Sequence, residues 1–341
     1  MKTTGALTGK LADIAEEARA LEAKGADIGA TIELGHDPLM QLALAATATS
    51  TMQLMTGITV AFARSPMTLA LAAHDVNAIS RGRLMLGIGS QIKPHIEKRY
   101  SMPWSKPAAR MREYVLALKA IWACWYEGKP LDFRGEFYNH SLMTPMFTPT
   151  DGEYGAPPVY VAAVGPLMTE NAAEVADGIL LHAFTTEEYI RTVTMPAIEA
   201  GLAKSGRSRS DLQVVAAPFF VTGETQEQFD QVKLAALNQI AFYGSTPAYR
   251  PVLESVGYGE LQGELNRLSK EGKWQEMGQC IDDTLLDKIA MVGEPQEIAR
   301  KMHNRYGDVF DITGASVFSG DAYSGGEFST AIASAVKDTA A

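Results

Sequence analysis

Apolar positions recur at helical spacing from about Lys10 to Lys24, where Leu11, Ile14, Ala15, Ala18 and Leu21 share one face and Glu16, Glu17, Arg19 and Glu22 fall largely on the other. Gly25 ends this helix. A strand of small residues, Ala26 to Ile32, follows, and the polar turn Glu33 to Pro38 leads into a helix to about Thr49, with Pro38 in its first turn. The next strand, Met52 to Val60, carries Gly57 in its middle, where glycine weakens a sheet and marks a bulge or a close contact. Ser65-Pro66 opens a helix through Ile79, and Arg81-Gly82 turns the chain into the strand that starts at Leu84. Short alternating steps of strand and helix imply a parallel sheet with right-handed crossovers.

That rhythm lapses from about 93 to 158. A loop over Ser101 to Pro107 precedes a long helix, Ala108 to Glu127, with Met111, Val115, Leu118, Ile121, Trp122 and Trp125 at helical spacing, and a polar, proline-bearing stretch ends the segment. It reads as an ordered insertion. Strands at Val159 and at Ile179 to His182, a helix from Met168 to Ala176, a helix from about Glu187 to Lys204 and a strand from Leu212 to Thr222 resume the alternation. Helical patterns at Gln226 to Phe242 and Leu261 to Lys288 exceed one crossover, giving a second insertion at about 235–288. A short strand near Ile289, a helix to Tyr306, a final strand from Asp311 to Phe318 and an alanine-rich tail complete the chain. With about eight strands, the first at Thr3 to Leu7 being the weakest pattern, the expected fold class is α/β: a (β/α)8 TIM barrel, one domain over 1–341, with the insertions at its C-terminal mouth.

Composition narrows the class further. At 341 residues with 46% hydrophobic and 21% charged content, the chain can bury a full core. Two cysteines, Cys124 and Cys280, form neither a disulfide framework nor a metal-like spacing, which suits a reducing cytosol. The segment Met1 to Ala6 passes into a charged helix without an apolar secretion core, and no apolar run is long enough for a bilayer, so a cytoplasmic protein is expected. A net charge of −10 argues against nucleic acid or anionic lipid as a partner.

Candidate chemistry gathers at strand ends. The strands at Leu84 and Val159 run into the glycine turns Gly87-Ile88-Gly89-Ser90-Gln91 and Ala163-Val164-Gly165-Pro166, where a flat ring and a phosphate can approach bare amides. The Val164 to Met168 turn enters a helix N-terminus, whose free N–H groups and dipole favour phosphate; Pro166 removes one donor but sets the turn. Gly87-Ile88-Gly89 lacks the third glycine of a dinucleotide fingerprint. The six histidines show no zinc-helix pairing, and neither a Gly-x-Ser-x-Gly elbow nor a Walker motif is present. His36 follows a strand end, as a catalytic residue or as a turn residue capping the next helix; Glu33 has the same two readings, catalytic or solvated. His95 lies among Lys93, Lys98, Arg99, Lys106, Arg110 and Arg112, either a cationic cluster for an anionic coenzyme tail or an ordinary charged face with Glu97 and Glu113. His182, at another strand end, is a candidate pocket residue, whereas His74 and His303 read as packing or surface positions.

Gly57-Ile58-Thr59, Arg81 through Gly89, Val159 through Pro166 with Ala176-Asp177-Gly178, and Val292 through Ala299 together resemble the bacterial luciferase-like flavin-dependent oxidoreductases, in order and over most of the chain. The segment from His95 through Met143 resembles the actinobacterial branch assigned to the deazaflavin coenzyme F420. The resemblance implies a ring at the C-terminal mouth, a bulge behind it, often with a non-proline cis peptide, at Gly57-Ile58, and a phosphate turn from Gly165 to Met168. The implied coenzyme-binding set is Gly57, Ile58, Gly89, Gln91, Ala163, Val164, Gly165, Pro166, Leu167 and Met168. Two departures stand out. In the better-known deazaflavin dehydrogenases the catalytic histidine directly follows an acid, whereas here Leu34 follows Glu33 and the nearest histidine is His36; their acid after the fourth strand falls near Ile92. His36 and His95, with Glu33, become the catalytic candidates. The expected activity is hydride transfer between F420 and a small organic substrate. The alternatives are an FMN-dependent monooxygenase fed by a partner reductase and, in another class, a non-catalytic flavin carrier. A homodimer is expected by analogy.

Overall fold

The computed structural model describes residues 1–314, 317–319, 322–324 and 327–339. Eight strands make the main sheet: β1 (Lys2–Ala6), β2 (Ile28–Thr31), β3 (Gln53–Thr56), β4 (Leu84–Gly89), β5 (Val159–Ala163), β6 (Gly178–Leu181), β7 (Gln213–Ala216) and β8 (Ile312–Gly314). Their order in the sheet is their order in the chain and closes on itself, the topology of a (β/α)8 TIM barrel. Residues Thr59–Val60 continue β3 beyond the Gly57-Ile58 peptide, which is cis, and pair with β4 at Ile88 and Gly89.

One compact unit comprises 7–180 and 197–212. In it β2, β3, β4 and β5 pair in parallel. Between the strands run α1 (Ile14–Ala23), α2 (Pro38–Ala48), α3 (Pro66–Ile79), α4 (Pro107–Glu127) and α5 (Pro166–Val175). The expected helix from Lys10 is shorter at its start, because residues 11–13 form a turn. Both proline starts are reinforced by side chains: Asp37 accepts the N–H groups of Leu39 and Met40, and Ser65 accepts that of Thr68. Gly87 allows β3 and β4 their close approach. A Cβ there would sit 1.8 Å from the Thr56 carbonyl oxygen, and the Thr56 hydroxyl donates to the Gly87 carbonyl at 2.6 Å. α4 buries Met111, Val115, Leu118, Ile121, Trp122 and Trp125, the stripe read from its spacing, and Tyr114 with them. Beyond it, an antiparallel hairpin (Phe133–Arg134 with Asn139–His140) is held by Glu113, whose carboxylate accepts the N–H groups of Glu136, Phe137 and Tyr138 at 2.6–2.8 Å. Ahead of α4, His95–Arg99 form a π-helical turn.

The second unit comprises 1–6, 181–196 and 213–341. In it β1 and β7 flank β8 in parallel register. The single strand expected over Leu212 to Thr222 is two. Pro218 has no N–H to donate, so β7 stops at Ala216, and Phe219–Val221 pairs instead with Ala290–Val292 in a separate two-stranded sheet. The long helix expected from Leu261 to Lys288 is three, Leu261–Lys270, Trp274–Gln279 and Asp283–Ile289; the first break contains Gly272 at φ 72°, a left-handed conformation that suits glycine. The strand expected from Asp311 to Phe318 falls partly outside the described residues, as does the end of the alanine-rich tail.

Candidate active site

Three strand ends of the first unit meet around Ile58. The Gly57 N–H donates to the Thr31 carbonyl at 2.7 Å, and the Glu33 N–H donates to the Ile58 carbonyl at 3.3 Å, tying the segment after β3 to the end of β2. A Cβ on Gly89 would lie 2.9 Å from Ile58 Cδ1 and 3.5 Å from the Ala162 side chain, so glycine at the end of β4 is what lets Ile58 come this close. Past Gly89 the chain turns through Gln91 in a left-handed conformation (φ 59°), its side-chain oxygen accepting the Ile92 N–H at 3.0 Å. At the end of β5, Ala163 is buried and Gly165 begins α5 without a side-chain cap; a Cβ on Gly165 would meet nothing within 4 Å. The first intrahelical bond runs from the Thr169 N–H to the Gly165 carbonyl, so Pro166, Leu167 and Met168 form an open first turn whose dipole favours an anion.

Beside this cradle Glu33 is 7% exposed, where the sequence left open an ordinary solvated carboxylate. Its buried oxygens are paired and hydrogen-bonded. Oε2 accepts the Val60 N–H at 2.7 Å, Arg64 Nη1 lies 2.9 and 3.0 Å from the two oxygens, and the Tyr100 hydroxyl donates to Oε1 at 2.9 Å. Arg64 Nη2 continues to Asp37 at 2.6 Å, and Asp37 caps α2. Burial, together with the Glu33 carboxylate, raises the Tyr100 pKa, so this group stays a phenol. Burial would lower that of Arg64, but its bonds to Asp37 and Glu33 more than offset this and raise it. Arg64, Asp37 and Tyr100 escaped the sequence reading. Asp37 before Pro38 carries a helix-cap signal, whereas nothing local marks Tyr100 or Arg64 as partners of a residue about thirty or more positions away.

The two histidine candidates lie on the surface. His36 and His95 are exposed, on the turn before α2 and at the start of the π-helical turn. The cationic group around His95 disperses. Arg110 is buried with its guanidinium 4.4 Å over the Phe62 ring and bonds to Tyr138 and the Pro103 carbonyl; Arg112 pairs with Glu174 and Lys106 with Glu136, while Arg99 donates to the Leu34 carbonyl. Helix α4 turns Arg110 inward, and Lys93, Lys106, Arg112 and Arg99 find carboxylates or carbonyls of their own. His74 is buried, with Nδ1 2.8 Å from the Tyr126 hydroxyl and Nε2 3.1 Å from Asp151. In the second unit His182 accepts the Phe184 N–H at Nδ1 and packs against Tyr243 and Tyr249; burial pushes its pKa down to about 4. Among the described residues no cluster of His, Cys, Asp and Glu could hold a metal ion, and no helix is long and apolar enough to cross a membrane.

Comparison with known proteins follows the same lines. The luciferase-like monooxygenase family matches residues 1–311. A protein of Mycobacterium tuberculosis is 50% identical over 311 residues, covering 91% of this chain and 92% of the relative. The 5,10-methylenetetrahydromethanopterin reductase of Archaeoglobus fulgidus is 32% identical over 269 residues, 77% of this chain and 76% of its own. The structure of the coenzyme F420-dependent tetrahydromethanopterin reductase from Methanopyrus kandleri superposes with a TM-score of 0.77 at 21% identity, over 98% of this chain and 97% of that one. The chain belongs to the luciferase-like monooxygenase family.

Proposed function

We propose that this protein is an oxidoreductase that uses the deazaflavin coenzyme F420 to move a hydride to or from a small organic substrate. The observation that carries the reading is the approach of Ile58 and Ala162 to Gly89 at neighbouring strand ends, in the same unit as the uncapped turn at Gly165. These residues fit a flat ring with an anionic tail: glycine at 89 leaves the end of β4 without a side chain and lets Ile58 pack against it, and the start of α5 presents amides to an anion. Gly57, Ile58, Gly89, Gln91 and Ala163 would hold the ring, and Val164, Gly165, Pro166, Leu167 and Met168 the tail. When bound, a deazaflavin supplies the hydride chemistry. The chain orients it and moves a proton, for which His36 and His95 are the candidates with exposed rings. Glu33, the third candidate, holds Arg64 and Tyr100 in place instead. The name of the M. kandleri reductase, which includes coenzyme F420, supports F420 as the first coenzyme to test.

Titration of the purified protein with F420 and with FMN, followed by fluorescence, tests this reading. Tight F420 binding with negligible FMN binding, and turnover of the bound coenzyme with one of a panel of alcohols, enones and imines, is expected. Preferential FMN binding, with turnover only when a flavin reductase is added, would replace it with a monooxygenase. Binding with no turnover of any compound would leave a carrier. We include a homodimer in the proposal, to be checked by light scattering.

A further inference from the structure

An ionised carboxylate offers about four lone-pair sites. Both oxygens of Glu33 are engaged by three donor groups: Oε1 by the Tyr100 hydroxyl, Oε2 by the Val60 N–H, and Arg64 Nη1 shared between them and the Val60 carbonyl. A substrate at Glu33 therefore has to compete with these donors. Asp37 is committed in the same way, to two amides at the start of α2 and to Arg64. Tyr100 differs. It is half-buried rather than buried, its ring lies 4.9 Å beneath the Arg99 guanidinium, and Arg99 is itself anchored on the Leu34 carbonyl. The phenol is thus held at both ends, by a cation on its ring and by a carboxylate on its hydroxyl.

That hydroxyl has one proton, and the proton is donated to Glu33. What remains on the oxygen is acceptor capacity. The cluster also stands beside the proposed ring site, since the Glu33 amide donates to the Ile58 carbonyl and Val60 continues the strand from Ile58. We infer that Tyr100 determines specificity in this enzyme: its hydroxyl accepts a hydrogen bond from the substrate and so selects compounds with an O–H or N–H on the reacting carbon, alcohols and amines, over their carbonyl counterparts. Glu33 and Arg64 are the positioning residues, fixing which way the phenol proton points. The inference rests on the proposed oxidoreductase function and names the substrate class of that site.

The test is calorimetric titration of the isosteric pair cyclohexanol and cyclohexanone into wild-type protein, Tyr100→Phe and Glu33→Gln, each with and without F420 and each checked for folding by circular dichroism. Wild type should prefer the alcohol about tenfold, the effect of one hydrogen bond. Tyr100→Phe, which keeps the ring under Arg99, should lose that preference to within about twofold. Glu33→Gln can donate its amide to the phenol oxygen and release the phenol proton, and should shift the preference toward the ketone. A wild-type protein that binds neither probe, or that binds the ketone as well as the alcohol, overturns the inference, as does a Tyr100→Phe protein that keeps the preference. Should one variant not fold, the other decides. Failure of F420 to bind wild type would sink the functional reading instead, and the coenzyme-free titrations would still decide the role of Tyr100.

Discussion

At the N-terminal ends of β3 and β4, Glu22 and Arg83 give their hydrogen bonds almost wholly to the main chain, whereas at the C-terminal ends Glu33, Arg64, Asp37 and Tyr100 are bonded largely to one another. Glu22 accepts the N–H groups of Ser50, Thr51 and Met52 and the Thr51 hydroxyl. Arg83 donates to the carbonyls of Ser80, Met52, Ala46 and Thr49 and to the Thr49 hydroxyl. The first arrangement closes loops, and every group in it is used up by backbone that has nowhere else to bond. The second sets the direction of side chains that a ligand can meet. Barrels of this class place stability at the N-terminal face and chemistry at the C-terminal face, and the choice of partners shows the division here in two sets of charged residues.

Arg83→Ala breaks the comparison most severely. It strands several carbonyls at once and should cost about 3 kcal/mol of stability by urea unfolding, while the F420 affinity of the folded fraction stays within about twofold. Arg64→Ala should do the reverse. It frees Glu33 and Tyr100 to reorient, lowering turnover about a hundredfold with a stability loss of about 1–2 kcal/mol; an intact rate would place this cluster with the braces. Gly89→Ala sharpens the ring-site half, because the new methyl meets Ile58. F420 affinity should fall about tenfold, near the value of one lost close approach, with little change in the unfolding midpoint.

The smallest effect is a pH effect at Glu22. Burial alone would raise its pKa, but the amides of Met52, Thr51 and Ser50 outweigh this and bring it down from the ordinary 4.5 to about 2. A carboxylate whose folded pKa is depressed contributes stability that is full above its unfolded pKa and is lost as pH falls through the folded one. That window runs from 4.5 down to about 2. Glu22→Gln should lose about 0.5–1 kcal/mol at neutral pH and show a shallower decline in the urea midpoint across the window; equal slopes in the two proteins would remove Glu22 as a brace.

Much of the frame was legible in local pattern. The starts of α2 and α3 follow from Asp37-Pro38 and Ser65-Pro66, and the buried stripe of α4 from its helical spacing, because helix entry and amphipathic faces are set by residues within one or two turns. The bulge expected at Gly57-Ile58 from family resemblance corresponds to a cis peptide there. Charge was not legible in the same way. Lys93 through Arg112 could be read as one cationic cluster or as an ordinary charged face, and the choice came only from the fold: α4 places Arg110 against Phe62 while Arg112 reaches Glu174. A run of like charges in sequence says nothing about which faces its members occupy.

By itself the sequence determined the alternation of strands and helices, the glycine turn after β5 and the family, whereas Gly87 and Gly89, expected in a turn, lie within β4. Only the tertiary structure decided that Glu33 is buried, that Arg64 and Tyr100 engage its oxygens, and that His36 and His95 face water. The reason is separation: Glu33 meets Arg64 31 residues and Tyr100 67 residues further along. Contacts at that range are set by the order of strands around the sheet, and no local pattern encodes them.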